Sequence, residues 1–350
     1  MGNKIYIATC LVLCTCALPR AALCAETEPD AVPTAQRLFA DVKKATKATV
    51  NRMHGLGEVA PRAPYRGAIA IDAATGKVLF QDGADVKSHP ASCTKMMTLL
   101  LVLEDLRAGR YARSDTVAAS AYAATFHGSS LGIKAGEVIT IENLLYALMI
   151  HSANDGAVVL AEHAGGHPEV ATRATLPEME VSKRRVQAFV DRMNRRAREL
   201  GMAHTRYVSP NGLTPYGNQA YPGFDVTTAE DLAKLARHLV TMPEVFTYTS
   251  CAVHTIAVGP RTIPLAAHNY FLPDTIDPQG WASPVPGCDG IKTGFTEAAG
   301  ASIVLTAQRN GHRVIVVVLG CADRRTRETS AARILHDALA VVTDPAWAPL

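Results

Sequence analysis

The stretch Ser92-Cys93-Thr94-Lys95, set in His89-Pro-Ala-Ser-Cys-Thr-Lys-Met-Met-Thr98, decides how this chain is read. Pro90 can open a helix that runs through Lys95 to about Leu106, with Gly109 as its stop. Positions i and i+3 share a helix face, so Ser92 and Lys95 can point into one cleft while Cys93 and Thr94 point elsewhere. A serine hydroxyl is a poor nucleophile at neutral pH, and a neutral lysine amine within reach can take its proton during attack. That lysine must first lose its charge. Burial, the positive end of a helix and a second cation all favour the loss, and Lys292 is the candidate cation.

Two further tripeptides follow in order, Ser152-Ala153-Asn154 and Lys292-Thr293-Gly294. Ser152 suits proton relay to a departing amine, and Asn154 offers an amide that can hold a peptide carbonyl in register. Lys292 and Thr293 on a strand edge suit a carboxylate, and Gly294 leaves room for close backbone approach. The backbone N–H groups of Ser92 and Phe295 are the expected donors to a developing oxyanion. Each residue also has a plain reading. Ser92 could cap a helix, Ser152 and Asn154 could cap one starting near Asp155, and Lys292 could be a solvated edge charge. Independent caps and edge charges have no reason to occur as this ordered set, which favours the catalytic reading.

Around these motifs the pattern predicts an α+β fold. Gly67–Asp72 and Lys77–Phe80 flank Thr75-Gly76 and read as a β-hairpin. Helices are expected over Ile141–Ile150, Asp155–His163, Arg184–Leu200 and Thr228–Leu239. Strands return at Ala252–Val258, Gly290–Lys292, Ser302–Ala307 and Arg313–Leu319, with Asn310-Gly311 as the turn between the last two. Asp323–Val341 reads as a closing helix, and Gly165–Ser182 as a surface loop. A mainly antiparallel sheet, with strands from both sequence ends, would thus be flanked by helices. The helical subdomain, about residues 107–240, would be inserted between the N-terminal and C-terminal strands.

A chain of 350 residues with 48% hydrophobic and 19% charged residues is ordinary for a globular protein, and a net charge of +3 with no dense basic stripe points to no nucleic-acid partner. Lys4, the apolar stretch Ile5–Leu18 and the small residues ending in Ala25 read as a signal peptide over 1–25, implying an extracytoplasmic or periplasmic location. Residues 26–66 form an extension and linker, 67–342 the main domain and 343–350 a tail. Of eight cysteines, four fall in the export segment; Cys93, Cys251, Cys288 and Cys321 show no metal spacing and read as small buried or half-buried residues, although one pair could oxidise. His163 and His167 near Glu162 make only a weak metal site, and none is assigned; no cofactor is expected. Glu178 and Glu180 read as surface residues.

With its flanks, the set of motifs resembles the serine-type D-alanyl-D-alanine carboxypeptidases, the low-molecular-mass penicillin-binding proteins. Met149-Ile-His-Ser-Ala-Asn-Asp-Gly156 and Asp289-Gly-Ile-Lys-Thr-Gly-Phe-Thr296 are similar to that family's second and third motifs. Phe189-Val190, Met193-Asn194, Leu200-Gly201-Met202 and Ser209-Pro-Asn-Gly-Leu213 are similar to its intervening pattern, over roughly Gly67 to Leu339. The resemblance implies a β-lactamase/transpeptidase-like fold with a five-stranded sheet. It also implies peptidoglycan stem pentapeptides as substrate, an acyl-enzyme on Ser92, and β-lactams as covalent inhibitors. Arg327 matches a family arginine that helps hold the substrate carboxylate, with Arg324 and Arg325 as competing registers. Two other activities share these motifs: a β-lactamase, and a non-catalytic penicillin- or peptidoglycan-binding protein. Against the family pattern, the segment before Gly67 is long, Gly165–Ser182 looks inserted, and neither a further β-rich domain nor a C-terminal amphipathic anchor is expected, which leaves membrane attachment unassigned.

Overall fold

Strands β8 (Gly300–Arg309) and β9 (His312–Cys321) are buried along almost their whole length. Such runs, GASIVLTAQR and HRVIVVVLGC, belong to central strands covered on both faces rather than to a half-solvated hairpin. Asn310 and Gly311 join them with positive φ at both positions (50° and 83°), the geometry that matches strand twist in a two-residue turn. The structure is a computed structural model that describes residues 62, 64–166, 176–214, 221 and 223–344. The expected signal peptide, nearly all of the 26–66 extension, His167 and the end of the tail lie outside the described residues.

The five-stranded sheet has the order β2-β1-β9-β8-β7, with β1 at Gly67–Asp72, β2 at Val78–Asp82 and β7 at Cys288–Thr296. Every pairing in it is antiparallel. The N-terminal hairpin therefore docks on the last strand of the sheet, and the helical segments enter between β2 and β7 in sequence. Helix α7 (Arg324–Thr343) packs on β8 and β9, and α5 (Ala229–Leu239) packs on β9 and β1. Two small antiparallel pairs stand apart from this sheet: β3 (Thr116–Ala118) with β4 (Val138–Thr140), and β5 (Val253–Val258) with β6 (Arg261–Ala266).

Helix α1 (Lys95–Arg107) is buried from Lys95 through Leu103, with residues on all sides of the helix enclosed. A helix apolar all round has to be central. This placement drags the first residue, Lys95, into the interior. α3 (Asn154–Gly165), α4 (Glu178–Glu199) and α5 pack on α1, while α2 (Ile141–Tyr146) packs on α3 and the short α6 (Val245–Thr249) lies against β7. α4 buries Val186, Phe189, Val190, Met193 and Ala197, a stripe at helical spacing, and packs on α3.

Several boundaries differ from expectation, two of them widely. The loop predicted over Gly165–Ser182 ends early, because α4 starts at Glu178 with Glu178 and Glu180 in a first turn where acidic side chains suit the helix dipole. Strand β7 extends well past Gly290–Lys292 to Cys288–Thr296, since its glycines and Lys292 hide a strand that tertiary packing enforces. The four cysteines within the described residues are free thiols, three of them buried. No group of metal-binding side chains occurs among the described residues, and His163 packs edge-on against Tyr111 instead.

Candidate active site

The turn that carries Ser92 is clamped by backbone from two sides. Ala91–Thr94 forms a 3₁₀ turn, and α1 begins only at Lys95. Ala91 has φ 47°, a left-handed conformation that costs a non-glycine residue roughly 1–2 kcal/mol. On one side Gly212 passes so close that a β-carbon there would lie 1.8 Å from the Ala91 carbonyl oxygen. On the other, a β-carbon on Gly294 of β7 would lie 2.8 Å from Pro90 O and 3.1 Å from Ser92 N. Only glycine allows either approach. The edge of β7 thereby lies against the backbone of Ser92.

Lys95 is fully buried and its Nζ has three oxygen partners: Ser92 Oγ at 2.9 Å, Asn154 Oδ1 at 2.8 Å and the Asn211 carbonyl at 2.7 Å. A neutral amine has two N–H bonds and one lone pair. The Asn154 and Asn211 oxygens can only accept, so they take the two hydrogens, and the lone pair is left facing the Ser92 hydroxyl. Burial, reinforced by the positive charge of Lys292, holds the Lys95 amine well below the usual lysine range. Cys93, Asp155 and Asp225 oppose that shift. The fold thus favours the form of lysine that can receive a proton.

Ser152 terminates a five-residue π-helical turn, Ala147–His151, and itself has φ 63°. π turns and left-handed non-glycine residues mark places where packing overrides local preference, often at functional sites. The helix-cap reading of Ser152 and Asn154 does not hold: α3 starts at Asn154 behind Ala153, with no side-chain cap. Asn154 instead spends its Oδ1 on Lys95 and donates Nδ2 to the His127 carbonyl at 2.8 Å, so its first role here is to hold the lysine.

Lys292 is 2% exposed, which excludes a solvated edge charge. Its Nζ donates to the Thr293 carbonyl at 2.9 Å, and burial lowers its pKa to about 8, with Arg327 pushing the same way. Asp289 on the same strand accepts two hydrogen bonds from Arg313 at 2.7 Å each and so braces β7 against β9.

Ser92, Ser152, Asn154, Thr293, Gly294, Phe295 and Arg327 line one open cleft of about 400 Å³; Lys95 and Lys292 lie beneath its surface. Arg327 is buried and paired with Glu328, Arg324 also faces the cleft, and Arg325 is exposed outside the lining. Both Arg324 and Arg327 are therefore placed to meet an anion. Several contributors carry no signature in the motifs. The carbonyls of Asn211 and His127 act through backbone atoms, and Asn211 falls in the Ser209–Leu213 segment whose pattern the sequence did display. His268 lines the cleft, and burial together with Lys292, His151, Arg324 and Arg327 lowers its pKa to about 4.

The sequence profile of the family described as D-alanyl-D-alanine carboxypeptidase matches residues 58–172 and 180–323. Among curated proteins, the chain is 29% identical to the D-alanyl-D-alanine carboxypeptidase DacF of Bacillus subtilis over 77% of its length. It is 30% identical to DacC of Escherichia coli over 85% of its length. It spans only 61% and 65% of those two relatives. Among solved structures it is similar to penicillin-binding protein 3 of Streptococcus pneumoniae, with a TM-score of 0.66 and 31% identity, covering 79% of this chain and 74% of that one. It is also similar to the ampicillin-bound penicillin-binding protein D2 of Listeria monocytogenes, with a TM-score of 0.62 and 26% identity, covering 79% and 98%.

Proposed function

The chain belongs to the D-alanyl-D-alanine carboxypeptidase family, and from that membership we propose that it is a serine carboxypeptidase removing the terminal D-alanine of peptidoglycan stem pentapeptides. The observation that carries this reading is the three-way coordination of Lys95 Nζ, which aims a lone pair at Ser92 Oγ.

Ser92 Oγ attacks the carbonyl of the penultimate D-alanine while its proton passes to Lys95 Nζ. The oxyanion so formed is held by the backbone N–H groups of Ser92 and Phe295, a role supported by the close approach of Gly294, the residue before Phe295, to Ser92 N. The scissile C–N bond then breaks; the proton returns from Lys95 through Ser152 to the departing amine, leaving an ester on Ser92 that water hydrolyses. The terminal carboxylate is met by Thr293, Arg327 and Arg324 at the cationic end of the cleft, with Lys292 buried behind.

β-Lactams acylate the same serine under this proposal, as one relative solved with ampicillin and with cefotaxime bound suggests. No Asp or Glu is among the described residues lining the cleft, and Glu178 and Glu180 lie on an exposed helical turn. A long-lived penicilloyl adduct is therefore expected rather than rapid turnover. The N-terminal 25 residues support work outside the cytoplasm; no helix among the described residues is long and apolar enough to cross a membrane.

Incubation with a diacylated Lys-D-Ala-D-Ala peptide should release D-alanine, and mass spectrometry after brief penicillin exposure should place one adduct on Ser92. Ser92→Ala should abolish both and leave the melting temperature unchanged. Activity surviving in that variant would remove Ser92 as the nucleophile, and multiple turnover of penicillin would favour the β-lactamase reading.

A further inference from the structure

Asp225 lies on none of the three motifs, yet it joins two of the segments that build the site. It is 3% exposed, and its carboxylate accepts four hydrogen bonds. Oδ1 receives the backbone N–H groups of Val208 at 2.6 Å and Ser209 at 3.0 Å; Oδ2 receives Thr94 Oγ1 at 2.7 Å and Ser209 Oγ at 2.9 Å. Its own carbonyl accepts from His89 Nδ1 at 2.8 Å. Thr94 immediately precedes Lys95, and Ser209 stands two residues before Asn211, whose carbonyl contacts Lys95 Nζ. Thr98 Oγ1, one helical turn on, donates to Pro210 O at 2.6 Å and makes the second tie between helix and loop.

We propose that Asp225 is a positioning residue for the Lys95 amine, fixing the Asn211 carbonyl against Nζ and supplying part of the negative charge that Lys95 feels inside the protein. Of the two carbonyl oxygens that orient the amine, Asn154 Oδ1 is fixed by α3, whereas the Asn211 carbonyl belongs to a loop and needs an anchor. A buried carboxylate satisfied by four donors is such an anchor, because withdrawing it strands every donor at once. The inference rests on the reading of Lys95 as the proton acceptor for Ser92.

The charged and titratable groups acting on Lys95 are Lys292 from β7, Cys93 from its own turn, Asp155 from α3 and Asp225. Facing Asp225 are the buried Tyr207 and Tyr221 hydroxyls and His89; burial pushes the Asp225 carboxyl up, and its four hydrogen bonds oppose that shift. Asp155 is the parallel case on the opposite wall: it accepts from Ser130 Oγ at 2.7 Å and from the backbone N–H groups of Leu131 and Ile133 at 3.1 Å each. Asp225 favours the ammonium form of Lys95, so removing its charge extends the neutral amine to lower pH.

The test pairs Asp225→Ala with the near-isosteric Asp225→Asn. The Asn side chain keeps one acceptor for the two N–H groups, and its amide can donate to Thr94 and Ser209 hydroxyls that turn to accept. Asp225→Ala should slow Ser92 acylation by a labelled penicillin roughly 10- to 100-fold, as loss of reacting geometry does, while noncovalent affinity is retained. Asp225→Asn should recover most of that rate but move the acid limb of the acylation profile, and the ¹³Cε titration of Lys95, to lower pH. An Asp225→Ala protein that acylates at the wild-type rate overturns the proposal, as does an Asp225→Asn protein whose Lys95 titration is unmoved. Should Asp225→Ala fail to fold, the Asp225→Asn titration decides alone. Absence of any adduct on wild-type Ser92 would count against the functional reading, and the Lys95 titration would still decide the role of Asp225.

Discussion

Replacing Asn154 by aspartate puts a carboxylate where the carboxamide now accepts from Lys95 Nζ at 2.8 Å. At an effective dielectric constant of about 20, unit charges at that separation attract by about 6 kcal/mol. The second aspartate oxygen would replace Nδ2 opposite the His127 carbonyl, setting acceptor against acceptor and costing about 1–3 kcal/mol. The clash weighs on both protonation states of the lysine and so lowers stability only, whereas the attraction favours the ammonium and leaves roughly 10⁴-fold less neutral amine on the acid limb of the profile. Acylation should fall in proportion near neutral pH and recover as pH rises, with the overall protein fold intact. Stopped-flow labelling with a fluorescent penicillin between pH 6 and 10 reads this directly. An Asn154→Asp protein that acylates at the wild-type rate at pH 7 would show that Lys95 does not act as the base, and the mechanism drawn from its coordination would fall.

Gly294→Ala places a β-carbon 2.8 Å from Pro90 O and 3.1 Å from Ser92 N, both backbone atoms that cannot step aside. It should lower stability by about 1–3 kcal/mol, seen in urea unfolding, and reduce acylation at least roughly tenfold by displacing Ser92 from β7. His268, with its pKa lowered to about 4 by burial and nearby cations, binds its proton more weakly folded than unfolded. Its contribution to stability is complete above about pH 6.5 and is lost as pH falls from there towards 4, so His268→Asn should flatten that part of the stability profile measured by urea titration.

The order of Ser92-x-x-Lys95, Ser152-x-Asn154 and Lys292-Thr293-Gly294, the N-terminal hairpin, the Asn310-Gly311 turn and the buried runs of β8 and β9 were legible in the chain itself. Such features are local: periodicity, turn chemistry and residue type report on them without knowledge of what packs against them. The strand Arg261–Ala266 escaped notice because Pro264 breaks its pattern, and β7 was read too short because its glycines serve close approach rather than strand propensity. What only the folded chain decided is the burial of the two lysines and the surroundings of Ser92. Burial at the start of a central helix, with Lys292 nearby, lowers the Lys95 pKa, and oxygens from residues 154 and 211 meet its Nζ beside Ser92 Oγ. One of those oxygens is a backbone carbonyl, identical in every residue, in a loop whose Ser209 is tied to Thr94 through the carboxylate of Asp225, a residue that no motif contains. Burial and backbone position arise from contacts between segments far apart in sequence, so no local pattern encodes them.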